Sequence, residues 1–62
     1  MTLAIYHEVT LRDNRYVDRF WLAPAGLDSA QARAQRVGRF RKTQEGARQA
    51  LVAELDRERR ER

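Results

Sequence analysis

From Leu3 to Ala23 apolar residues recur at every second position. Leu3, Ile5, Val9 and Leu11 are interrupted only by His7, with Ala4, Glu8, Thr10 and Arg12 in the alternate places. A period of two is the mark of a half-buried strand, because successive side chains leave it on opposite faces. Asp13-Asn14 follows, a pair that tolerates the left-handed backbone of a tight turn. A two-residue loop there places Arg12 opposite Arg15 and fixes the rest of the register. One face then pairs Leu11 with Tyr16, Val9 with Asp18, His7 with Phe20 and Ile5 with Leu22. The other pairs Thr10 with Val17, Glu8 with Arg19, Tyr6 with Trp21 and Ala4 with Ala23. An opposite-charge pair and an aromatic pair on the second face each contribute roughly 0.2–1 kcal/mol. A slip of one residue would scramble both faces.

Pro24, Ala25 and Gly26 end the second strand. Asp28 or Ser29 then caps a helix predicted over 28–37, with Leu27, Ala30, Ala34 and Val37 along one stripe and Gly38 at its end. A third strand within 32–40 competes with it, but the segment has few β-branched residues and alternates poorly, so the helix is preferred. Thr43 caps a second helix, over 43–60, with Glu45 near its positive end and Phe40 upstream as a hydrophobic staple. Ala47, Ala50, Leu51 and Leu55 form its buried stripe. Its last residues, DRERRER, carry no apolar side chain and make a solvated, fraying end held by acid-first pairs such as Asp56 with Arg60.

The expected fold class is α+β: a two-stranded antiparallel hairpin (3–23) packed on two helices, in the order ββαα. The alternative is a three-stranded sheet with a C-terminal helix. Both helices are expected on the Ile5/Val9/Phe20/Leu22 face, because a bare hairpin is marginal without cover. The opposite face is expected in water. Sixty-two residues make a single small domain over 1–62 with a thin core and no cysteine to staple it. The start at Met1 and the lack of a tag suggest a complete small protein. No apolar run reaches the length of a membrane span and no signal peptide is recognisable, so a cytoplasmic protein without membrane contact is expected.

The net charge is +4, and its surplus lies late in the chain. Acids and bases nearly cancel through Ala30, whereas RAQRVGRFRK carries Arg33, Arg36, Arg39, Arg41 and Lys42 without an acid. Such a cluster is the footprint of a phosphate-binding surface, although it also suits a solvated face. On the uncovered hairpin face Tyr6, Arg12, Arg15, Arg19 and Trp21 are expected to project together. These residue types are enriched in binding hot spots and in contacts to phosphates and unpaired bases. The bland alternative packs the aromatic pair under a helix or into a dimer seam. Catalysis is not expected. The chain has one histidine, no cysteine and one serine, and His7 with Asp18 lacks a third group. Nor do scattered carboxylates and one histidine have the spacing of a metal site, and no cofactor is implied.

The segment GRFRKTQEGARQAL, residues 38–51, is similar to the strand-to-helix junction of the arm-site DNA-binding domains of tyrosine recombinases. That resemblance implies three strands followed by a helix, with the sheet lying on DNA. In overall profile the chain also looks like small single-domain proteins with which phages block host machinery, anti-CRISPR proteins included. Three functional expectations follow. The first is a non-enzymatic basic module that contacts nucleic acid or a nucleoprotein complex. The second is an inhibitor or interaction protein that binds a protein target through the Tyr6/Trp21 face. The third is a structural or antitoxin-like homodimer with that face buried against its own copy.

Overall fold

The computed structural model describes residues 2–61. Strand β1, Leu3–Arg12, and strand β2, Arg15–Pro24, form the expected hairpin. All ten cross-strand pairs have the register that the alternation and the turn dictate, from Leu3 opposite Pro24 to Arg12 opposite Arg15. Asp13 and Asn14 both take positive φ, 52° and 61°, the backbone of a turn whose twist matches that of its strands.

After β2 the chain departs from ββαα. Helix α1, Ser29–Ala34, is only six residues long and is capped by Asp28, whose carboxylate accepts from the Gln31 N–H at 2.8 Å. The segment expected to finish a longer helix instead forms strand β3, Val37–Arg41. The sheet is therefore three-stranded and antiparallel, in the order β1-β2-β3. The preferred two-stranded reading and the helix over 28–37 are corrected on this point: the strand count is that of the three-stranded alternative, with α1 kept as a short helix before β3. Propensity loses to a tertiary demand here. A hairpin leaves one edge of β2 with unpaired backbone groups, and pairing Val37 with Leu22 and Arg41 with Phe20 occupies part of it. Three residues of β3, Gly38 to Phe40, bulge opposite the single residue Trp21. Gly38 sits in that bulge at φ +80°, where an L side chain would be strained. Helix α2, Gln44–Arg60, follows, with the Thr43 hydroxyl accepting from the Gly46 N–H at 3.0 Å.

The helices do not share a face. α1 covers Tyr6, Trp21 and Ala23, and Trp21, Ala23 and Ala32 are fully buried together with Leu27 and Phe40 packed around them. The decisive bond is from Trp21 Nε1–H to the Ala32 carbonyl, 3.0 Å. That carbonyl lies in the last turn of α1, where no helical N–H reaches it, so the indole satisfies a group the short helix leaves open. α2 lies across the opposite face. It contacts all three strands, Ala47 is fully buried, and Leu22 on that face is 3% exposed. Its cover stops short of the hairpin tip, so Val9, Leu11 and Tyr16 are exposed. The expectation that Val9 belongs to the core is thus overturned. Leu22→Ala is expected to destabilise by about 2–5 kcal/mol and Val9→Ala by under about 1, a contrast that urea unfolding would read directly.

Among the described residues, no helix is long and apolar enough to cross a membrane.

A cationic cleft as candidate nucleic-acid interface

Because β3 meets β2 only around Phe20 to Leu22, the hairpin continues beyond it as a bare two-stranded ribbon ending at Arg12 and Arg15. Where β3 leaves the edge of β2, a cleft of about 310 Å³ opens, lined by Arg12, Val17, Asp18, Arg19, Phe40, Arg41 and Lys42. Four cations and one carboxylate surround it. The carboxylate is already engaged, since Asp18 Oδ1 lies 2.8 Å from His7 Nε2. The His7 ring in turn stacks on Phe20 at 4.3 Å, which holds the pair in place.

Phe40 organises the basic residues around the cleft. The Arg36 guanidinium lies 4.2 Å and that of Arg19 5.3 Å from the centre of its ring. Phe40 itself is fixed edge-on against Trp21 at 5.5 Å, so the buried indole supports the platform on which two surface cations rest. Arg36 is further held by its Nε–H, which donates to the Gly38 carbonyl in the bulge, 2.8 Å. Arg41 packs its Cβ beside Gly46 of α2, and its buried Nε has no hydrogen-bond partner among the described residues.

The residues singled out in the sequence are divided by this arrangement. Arg12 and Arg15 are exposed at the ribbon tip, Arg19, Arg41 and Lys42 meet at the cleft, and Arg36 flanks it. Arg33 stands aside in a loose ion pair with Glu8 at 3.6 Å. Arg39 is exposed and does not line the cleft. Tyr6 and Trp21 are not on an open surface. Trp21 is fully buried, and the Tyr6 hydroxyl donates to the Pro24 carbonyl at 2.7 Å and accepts from the Leu27 N–H at 3.1 Å. Their polar handles are spent on tying the β2–α1 connection to the sheet. Phe40, read from sequence as a staple, is the cleft-lining residue that the reading missed. The signal was present as a lone aromatic inside an arginine run.

Among the described residues no group of three or more His, Cys, Asp or Glu side chains could hold a metal ion. Compared with protein-family models, with curated proteins and with solved structures, the chain has no match.

Proposed function

We propose that this protein is a non-enzymatic module that binds double-stranded nucleic acid, with the ribbon and its cationic cleft against the phosphate backbone. The observation that carries the reading is the convergence of Arg12, Arg19, Arg41 and Lys42, drawn from three strands and the segment after β3, on one cleft whose only acid is paired. Cations dispersed along a chain do nothing but stay wet, whereas cations gathered on one surface can neutralise neighbouring phosphates and release their counterions. The shape agrees. Two strands about 4.8 Å apart make a ribbon narrow enough for a B-form major groove roughly 12 Å wide. Three antiparallel strands followed by a helix is also what the resemblance of residues 38–51 to arm-site DNA-binding domains implies, with α1 as an addition between the second and third strands.

The same geometry favours duplex over single strands. Stacking of unpaired bases needs open aromatic faces beside the cations; Trp21 has none, and the exposed Tyr16 lies on the other side of the ribbon. Burial of Trp21 likewise removes the surface on which an inhibitor or a dimer seam at Tyr6/Trp21 would rest. A protein target keeps one observation in its favour, the exposed Val9, Leu11 and Tyr16 on the other side of the ribbon.

Fluorescence anisotropy with an arbitrary duplex and a single strand of equal length, at low salt, tests the reading. Duplex binding at least equal to single-strand binding is expected. Absence of duplex binding by folded protein at low salt, where electrostatic association is strongest, would overturn it and leave the protein-target reading in front.

A further inference from the structure

Helix α2 carries a second surface that the fold leaves uncovered. Its inner side is defined by the buried Ala47, with Leu51, Glu54 and Glu58 continuing the same side in the following turns. The outer side presents Glu45, Arg48, Val52, Asp56 and Arg59, spaced by three or four residues and therefore aligned along the helix. Val52 at its centre is 65% exposed, and Leu55 beside it is 45% exposed. Shallow grooves run along this side, one bordered by Glu45, Arg48 and Val52, the next by Val52, Asp56 and Arg59.

The order of charges on this stripe is informative. An acid and then a base precede Val52, and an acid and then a base follow it. A two-fold axis through Val52, perpendicular to the helix, sets Glu45 against Arg59 of a second copy and Arg48 against Asp56 of that copy. Val52 then meets Val52. Parallel pairing in register would instead set Glu45 on Glu45 and Arg48 on Arg48, and like charges at such positions repel. Only the antiparallel arrangement pairs opposite charges, and it is isologous, so it closes at two copies. The Asp56 side chain is 49% exposed even while it bonds Arg60 of its own helix at 3.0 Å, which leaves it able to accept a second cation.

We propose that the outer stripe of α2 is a self-association surface, with a second copy of this chain docked antiparallel across Val52. One helix pair buries less than the roughly 1,200 Å² of a stable interface, so the dimer is weak and concentration-dependent. None of the stripe residues lines the cationic cleft, so the proposal stands apart from the nucleic-acid reading.

Sedimentation velocity from micromolar to millimolar protein at low salt tests it, with far-UV circular dichroism to confirm that each variant keeps its fold. A reversible monomer–dimer equilibrium is expected, abolished by Val52→Glu. Arg48→Glu alone should weaken the dimer by about tenfold, because the axis makes one substitution act at two exposed ion pairs. Adding Asp56→Arg to Arg48→Glu should restore it, since the pair is then reversed rather than lost. A monomer throughout the concentration range would overturn the proposal. So would a dimer indifferent to Val52→Glu, or one that the charge reversal fails to rescue.

Discussion

Trp21→Ala is expected to leave the protein largely unfolded at room temperature. The indole is fully buried, stacks on Tyr6 at 5.8 Å, meets Phe40 edge-on, and anchors α1 through the Ala32 carbonyl. Truncating a buried aromatic costs about 3–5 kcal/mol, and a core in a chain of this size supplies little more than about 3–5 kcal/mol in total. The rest of the core cannot absorb the loss, because among the described residues its other buried members are three alanines and Leu22, which lies on the opposite face. Trp21→Phe separates the two contributions. It keeps most of the apolar surface but leaves the Ala32 carbonyl without its donor, at about 1–3 kcal/mol. Thermal unfolding followed by far-UV circular dichroism reads both variants. The wild type offers an independent check, since Trp21 is its single tryptophan. Its emission should be that of a buried indole and should shift to the red on unfolding. Red emission from the folded protein would show that α1 does not cover the sheet.

What the sequence revealed and what it withheld divide along a physical line. The hairpin register was legible because it is local: a period of two on both sides of Asp13-Asn14 admits one alignment that keeps both faces coherent. The same alternation could not say which face is covered. Ile5, Phe20 and Leu22 on one side and Tyr6, Trp21 and Ala23 on the other are both apolar enough to be a core, and both are partly buried, under different helices. The third strand was hidden for a related reason. VGRFR has one β-branched residue and a glycine at positive φ, and it becomes a strand because β2 offers it an edge. As for the site, the identity of its cations was plain in the sequence. Their grouping depends on the bulge at Gly38, which puts Phe40 over Trp21 and gathers Arg19 and Arg36 on its ring, and no local pattern announces that.

If the cleft binds phosphates, duplex affinity should fall by about a hundredfold between 50 and 200 mM salt, as about four neutralised phosphates require. The four are those facing Arg12, Arg19, Arg41 and Lys42. Charge removal at Arg12, Arg19 or Lys42, as glutamine variants, should flatten the dependence of log affinity on log salt by about one unit each and weaken all sequences alike. Arg57→Gln is the control. It removes the same formal charge from α2, where Arg57 pairs with Glu54 away from the cleft, and it should leave the slope unchanged. Net charge alone predicts equal effects at all four positions, so the comparison separates a bound surface from a general attraction. Phe40→Leu asks the same question without touching charge. It keeps an apolar side chain against Trp21 but removes the ring under Arg19 and Arg36, whose cation–π contacts are each worth about 0.5–1 kcal/mol. Binding should weaken by about fivefold to thirtyfold if both contacts position cations for the duplex. Unchanged affinity in Phe40→Leu, with a slope that responds equally to Arg57 and Arg19, would mean that the arginines act only as diffuse charge.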